Sequence, residues 1–174
     1  MAIRTISFII LLFSFNINAQ QFISKNGYIS FFSEAPLEDI SAYNNLVRSV
    51  YDMSTNDIVF ELKIKDFIFE KSLMQEHFNE NYLESDIYPT STFSGKITKK
   101  KDENVVVEGY LTIHGKRQLI NVNGTFSKID DVILMQSSFN IKLVDYDIDI
   151  PKLVMYKIAE EIMINVKLEL NQIR

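Results

Sequence analysis

Hydrophobic and polar residues alternate along most of the chain. In 57–65, for example, Ile58, Phe60 and Leu62 fall on one face, and Glu61 and Lys63 fall on the other. A period of two is typical of a β-strand with one buried face and one face in water. The pattern predicts strands at 46–53, 57–65, 91–99, 104–113, 117–126, 133–143 and 162–171, and two short strands within 22–33 around the turn pair Asn26-Gly27.

These strands favour an antiparallel barrel. Strands with one buried and one solvent-exposed face suit an antiparallel sheet rather than a parallel one. About eight such strands in sequence close into an up-and-down barrel without exposed edges. A sandwich would give the same pattern, and the single helix described next mildly favours the barrel. A barrel of this size is either just filled by side chains or just able to hold one small ligand. The pattern does not choose between these two interiors.

One stretch departs from the alternation and follows a helical period. Six of its residues recur at helical spacing as a single, mainly apolar stripe: Leu73, Met74, His77, Phe78, Asn81 and Tyr82. Ser72 stands where an N-cap is expected and Gln75 follows at the spacing of a capping box. Pro89 ends the segment, because the residue before a proline avoids the α region. We expect one inserted helix, packed on the sheet by this stripe, and one or two helical turns at 152–159.

The N-terminal segment has the composition of a signal peptide. Arg4 precedes an apolar run at 6–15, and Ala19 supplies a small residue for cleavage. A membrane anchor is the alternative, but the run is shorter than the roughly 20 residues that a spanning helix needs. We predict a signal peptide at 1–19, a barrel domain at 20–174 and a periplasmic or secreted protein. No second apolar run offers a stable membrane anchor after cleavage.

Composition limits which partners, metal sites and reactions the chain can support. The net charge of −5 makes nucleic acid a poor partner, and the absence of cysteine excludes disulfides and thiolate metal sites. His77 and His114 show no metal-ligand pairing. Asp145, Asp147 and Asp149 have calcium-loop spacing, but the glycine and glutamate that such a loop requires are missing. No nucleophile with a neighbouring base can be named, so we predict no enzyme, no cofactor and no metal.

Several motifs in the right order resemble the YceI-like family, in the form found in Bacteroidota. They are Gly27-x-Ile29-x-Phe31-Phe32-Ser33-x-Ala35-Pro36, the segment from Met74 through His77-Phe78-Asn79-Glu80-Asn81-Tyr82 to Tyr88-Pro89, Phe93-x-Gly95, Gly109-x-Leu111-Thr112-Ile113-His114-Gly115, and Asp145-Tyr146 with Ile150-Pro151. The likeness runs from about Phe22 to Leu170. The family is described as polyisoprenoid-binding, with a lipocalin-like elongated β-barrel.

The resemblance implies that the barrel holds a polyisoprenoid or a quinone-like apolar chain. The head group would lie at one mouth, where His77, Asn81 or Tyr82 could donate hydrogen bonds. The ligand-binding residues implied in this way are Phe60, Leu62, His77, Asn81, Tyr82, Phe93, Phe139, Leu143, Ile164, Val166 and Leu168.

Two alternatives to lipid binding stay open. One is a ligand-free barrel that acts as a stress-response or interaction module. The other, ranked lowest, is a hydrolase using carboxylates such as Glu76, Glu80 or Glu84. A homodimer is also considered.

Overall fold

The computed structural model describes residues 20–34, 39–149 and 159–173. The predicted signal peptide lies outside these ranges, as does nearly all of the helical turn predicted at 152–159. Within them, no helix has the length and apolar character needed to cross a bilayer.

Eight antiparallel strands close into a barrel, as the sequence predicts. The strands of the described chain are β1 Gln21–Ser33, β2 Ile40–Asp52, β3 Asp57–Lys63, β4 Ile68–Phe69, β5 Thr90–Lys101, β6 Asn104–Ile113, β7 Lys116–Ile129, β8 Val132–Lys142 and β9 Glu161–Gln172. Each strand of the ring pairs with its neighbours in the order β1-β2-β3-β5-β6-β7-β8-β9, and β9 pairs back with β1. A ninth, two-residue strand, β4, pairs with β2 beside this ring.

The alternating pattern sets which side chains face the axis. On β3, Ile58, Phe60 and Leu62 are buried while the residues between them are exposed. On β9, Val166, Leu168 and Leu170 are buried in the same way. Inward residues of all eight strands therefore form one continuous apolar interior.

The first strand differs from the prediction. Instead of two short strands joined by a turn at Asn26-Gly27, β1 is one strand whose pairing with β2 shifts register on either side of Gly27. Gly27 is needed there for a close approach, because a Cβ on it would lie 2.6 Å from Leu168 Cδ2. Pairing of β1 with both β2 and β9 outweighs the local turn preference of Asn-Gly.

Two strand boundaries also differ. β2 begins at Ile40, six residues before the predicted start at residue 46. β3 ends at Lys63, and Ile64–Asp66 forms a 3-10 turn where the strand was expected to continue. Ile64 is nevertheless buried, and its amide donates to the Pro89 carbonyl at 2.9 Å.

The inserted helix is present, but its buried face is narrower than predicted. The α-helix α1 spans Ser72–His77 and continues as a π-helical turn, Phe78–Tyr82. Met74, Phe78 and Tyr82 pack against the core, whereas Leu73, His77 and Asn81 are exposed. The predicted stripe was two residues wide, and only the row at i, i+4 and i+8 reaches the barrel.

The predicted capping box is wrong. Ser72 is the first helical residue rather than the N-cap, and no side chain caps the helix at Lys71. Gln75 is engaged elsewhere, because its Oε1 accepts a long hydrogen bond of 3.4 Å from the Phe69 amide of β4. The Gln75 side chain thus links the helix to β4 by a hydrogen bond instead of capping the first turn of the helix.

Candidate functional site

A cavity of about 130 Å3 lies inside the barrel beneath the helix. We call it the helix-side cavity. Apart from three hydroxyl-bearing residues, its lining consists of aliphatic, phenylalanine and methionine side chains. They are Ile29, Phe31, Ser33, Ile40, Phe60, Leu62, Ile64, Phe67, Phe69, Met74, Phe78, Tyr82, Leu83, Ser91, Leu111, Ile113, Phe139, Ile141, Leu143, Ile148, Ile162, Ile164 and Val166.

Of the three hydroxyls, two are already used. Ser33 Oγ accepts a hydrogen bond from the Ala159 amide at 2.9 Å, and Ser91 Oγ donates to the Thr112 carbonyl at 2.8 Å. The Tyr82 hydroxyl makes no hydrogen bond within the described part of the chain. Burial raises the pKa of Tyr82 above its usual value, so the hydroxyl stays protonated and can donate to a bound polar group.

A cluster of phenylalanine rings holds the helix against this end of the barrel. The Phe78 ring lies 4.9 Å from Phe69, 5.4 Å from Phe67 and 5.5 Å from Phe31, measured between centroids. Such ring pairs add about 0.5–1.5 kcal/mol each beyond the burial of their area. The rings pack on one another around the rim, which leaves the space behind them unfilled.

A histidine fastens three segments beside the cavity. His114 Nδ1 lies 3.1 Å from the Tyr146 carbonyl, which can only accept, so this nitrogen donates. His114 Nε2 lies 2.8 Å from Glu84 Oε2. The contacts join the β6–β7 turn to the segment after the helix and to the 3-10 turn Leu143–Tyr146. These two contacts give His114 a structural role.

A smaller cavity of about 60 Å3 lies further along the barrel axis, and we call it the inner cavity. Phe93 and Leu168 line it. The Phe93 ring is held over paired strands at Gly95 and Gly109, where a Cβ would lie 2.6 and 2.7 Å from Phe93 Cζ. The two glycines face each other across β5 and β6, so their missing side chains provide the room for the ring.

Beyond the inner cavity the barrel is filled. Tyr51 and Phe126 meet there edge to face, with ring centroids 5.5 Å apart. Six side chains at this end are 0–3% exposed and line neither cavity: Phe22, Val47, Tyr51, Phe126, Ile133 and Leu170. We call this region the filled end.

Nine of the eleven residues named from the sequence line one or both cavities. Leu62, Tyr82, Leu143 and Ile164 line the helix-side cavity; Phe93 and Leu168 line the inner cavity; Phe60, Phe139 and Val166 line both. His77 and Asn81 line neither, because their side chains are exposed on the outer face of the helix. The structure therefore does not bring these two to the cavity with the other nine.

Sequence reasoning missed several lining residues. Ile113 and Ile162 lie on the inward faces that alternation assigned, so the pattern could have found them. Phe67 and Phe69 lie in and beside the short strand β4, where no periodic signal exists. Among the described residues, no group of three acidic, histidine or cysteine side chains is arranged to hold a metal ion.

Comparison with known proteins agrees with this architecture. The YceI-like domain family matches residues 10–170 of the chain. The chain belongs to the YceI-like family. The match starts inside the segment predicted as a signal peptide, so the domain boundary at residue 20 stays a prediction. None of the curated proteins compared with the chain matches it in sequence.

Solved structures of three other proteins show the same fold. A polyisoprenoid binding domain from Saccharophagus degradans, implicated in plant cell wall breakdown, has a TM-score of 0.77 at 13% identity, covering 89% of this chain and 99% of its own. BcnA from Burkholderia cenocepacia has a TM-score of 0.74 at 16% identity, with coverages of 82% and 95%. The YceI protein of Campylobacter jejuni has a TM-score of 0.69 at 17% identity, with coverages of 81% and 90%. At these identities the likeness establishes the shared fold.

Proposed function

We propose that this YceI-like protein binds the apolar chain of a lipid, such as a polyisoprenoid or a quinone tail, in the helix-side cavity. The observation that carries the proposal is the cavity itself. Protein interiors are close-packed, and an empty space lined by hydrocarbon costs stability that an apolar ligand can restore. Cavities of this kind stay dry and bind apolar molecules. The polyisoprenoid-binding description of the Saccharophagus degradans relative supports the choice of ligand class.

The size of the cavity limits how much of a chain it holds without rearrangement. An engineered apolar cavity of about 150 Å3 accommodates one benzene molecule, and the helix-side cavity is about 130 Å3. A long isoprenoid therefore enters only if lining rings or the helix move. Each Å2 of apolar surface removed from water then contributes roughly 25 cal/mol, which offsets the cost of that movement.

The Tyr82 hydroxyl is the polar contact that we assign to the ligand head group. Tyr82 lines the cavity from the helix. Its hydroxyl has no hydrogen bond within the described residues, and because burial raises the pKa of Tyr82 it is protonated at neutral pH. His77 and Asn81, the other two donors implied by the family resemblance, point away from the cavity and are not carried into the proposal.

The proposed location is the periplasm or the exterior, reached through cleavage after Ala19. N-terminal sequencing of the exported protein tests this, and the expected first residue is Gln20. A membrane-bound product that retains Met1 would contradict it.

Native mass spectrometry of protein purified from its own cell envelope, followed by organic extraction, tests the ligand proposal. We expect a non-covalent adduct that extraction releases as an apolar lipid. Val166→Phe is the matched variant, because Val166 lines both cavities and the larger ring would occupy part of that space and reduce the adduct. A wild-type protein that carries no adduct and retains no added polyprenol or quinone would overturn lipid binding.

That negative outcome would favour the alternative of a ligand-free interaction module. The homodimer considered from the sequence is measured separately, by sedimentation velocity over a range of concentrations. No reaction is proposed, because the cavity presents hydrocarbon and three hydroxyls rather than a nucleophile with a base.

A further inference from the structure

Three side chains separate the helix-side cavity from the inner cavity. Phe60, Phe139 and Val166 line both spaces, and we therefore take these shared lining residues as the partition between the two cavities. An apolar chain that enters beneath the helix meets this partition before it can reach the inner cavity. How far the apolar ligand extends into the barrel therefore depends on whether one of these three side chains can move.

Two of the three are held in place. The Phe60 ring is stacked on Phe93, with centroids 5.2 Å apart and planes inclined by 19°, and Phe93 is itself confined over Gly95 and Gly109. Val166 is buried in the middle of β9, and its branched side chain has a strongly restricted χ1 angle.

Phe139 is the exception. It lies on the inward side of β8, opposite Ile164 of β9, yet it is only half-buried while Met135 and Ile141 on the same side are buried. It makes no ring contact within the described residues. Since it borders both cavities, its ring has empty space on two sides, and χ1 has staggered alternatives to its present rotamer.

From this arrangement we infer that Phe139 is a specificity-determining residue that sets the length of apolar chain the barrel accepts. With the Phe139 ring in its present position, the end of the ligand's apolar chain stops in the helix-side cavity. With the ring turned aside, the two cavities join and a longer linear chain is buried to its end. The inference rests on the proposed function and adds to it a residue and a measurable selectivity.

The test compares prenols that differ by one isoprene unit each. Dissociation constants for geraniol, farnesol and geranylgeraniol are measured by displacement of a fluorescent apolar probe, N-phenylnaphthylamine. The proteins are the wild type, Phe139→Ala and Phe139→Trp. Ile113→Ala is the matched control, since Ile113 lines the helix-side cavity alone.

We expect Phe139→Ala to improve the affinity for geranylgeraniol relative to geraniol by about tenfold, because burying two further methylenes corresponds to about that change in Kd. Phe139→Trp shifts the ratio the other way. Ile113→Ala weakens all three prenols and leaves the ratio unchanged. If Phe139→Ala does not fold, Phe139→Leu tests the same point with a smaller loss of volume.

An unchanged ratio in both Phe139 variants, with prenols still bound by the wild type, would overturn the inference while leaving lipid binding intact. A wild type that binds none of the prenols and does not bind the probe would instead overturn the proposed function, and the inference with it.

Discussion

The two ends of this barrel are built from the same alternating pattern and have different interiors. At the filled end, Tyr51 and Phe126 meet across the axis and their neighbours are almost completely buried. At the helix-covered end, Phe31, Phe67 and Phe78 pack on one another around the rim, and a cavity of about 130 Å3 remains behind them. Alternation decides which side chains face inward. Whether those side chains meet depends on their size and on where the rings find partners.

The largest expected difference between the two ends comes from removing a ring. Phe126→Ala at the filled end should lower the free energy of unfolding by about 3–5 kcal/mol, because it leaves a new void among packed side chains. Phe139→Ala should cost less, roughly 1–2 kcal/mol, because its ring already borders empty space. Urea denaturation measures both. Equal costs would mean that the two ends are packed alike.

Adding a ring tests the same contrast in the opposite direction. Leu170→Phe at the filled end should overpack the core and cost about 1–3 kcal/mol. Val166→Phe, four residues earlier on the same strand, places its ring at the junction of the two cavities and should cost under about 1 kcal/mol. Retention of an added polyprenol should fall in Val166→Phe. A larger cost at Val166 than at Leu170 would count against a hollow helix-covered end.

The free energy of unfolding at alkaline pH should show the effect of burying Tyr146, which lies beside the helix-side cavity. Burial, with a smaller contribution from the charge of Asp145, raises the pKa of Tyr146 from 10.0 to about 12. Between these values the unfolded chain loses the phenol proton first, so stability should fall as pH rises from 10 to 12, by up to about 1.4 kcal/mol per pH unit. Below pH 10 the group contributes nothing to the pH dependence.

The matched variant is Tyr146→Phe, which removes the titrating hydroxyl. Urea denaturation at several pH values should show a shallower decline for Tyr146→Phe than for the wild type. Tyr51, whose pKa burial also raises, remains in both proteins and accounts for part of the residual slope. Parallel curves for the two proteins would show that the Tyr146 phenol ionises alike in the folded and unfolded chains.

The smallest effects concern the two faces of the helix. Tyr82→Phe should leave the fold intact and weaken a ligand with a polar head group by about 1 kcal/mol, the net value of one hydrogen bond. His77→Ala, on the exposed face, should change both stability and ligand retention by less than about 0.5 kcal/mol. A loss of retention in His77→Ala that exceeds the loss in Tyr82→Phe would reverse the assignment of the head-group contact.

Local patterning predicted the barrel well where its cause is local. The strand Asn104–Ile113 has the predicted bounds, because a period of two depends only on neighbouring residues. The same alternating pattern also placed Phe139 and Val166 on the inward faces of their strands. By contrast, the continuity of β1 through Gly27 depends on two partner strands, and no local signal in the sequence carries that information.

The site was less predictable, for a physical reason. A helical stripe two residues wide did not show which row would face the barrel, so His77 and Asn81 were included with Tyr82. The bond between His114 and Glu84 joins residues 30 positions apart. The cavity itself is a distance between side chains across the axis, and hydrophobic periodicity carries no information about that distance.

If the helix-side cavity is the binding site, apolar ligands enter the helix-covered end of the barrel and leave the filled end unchanged. Methyl NMR spectra recorded during a titration with geraniol test it most directly. We expect chemical-shift changes at Ile113, Leu143 and Ile164, which line the helix-side cavity, and none at Ile133 and Leu170, which are fully buried at the filled end. Shifts spread evenly over both groups, or no shift at saturating geraniol, would contradict it.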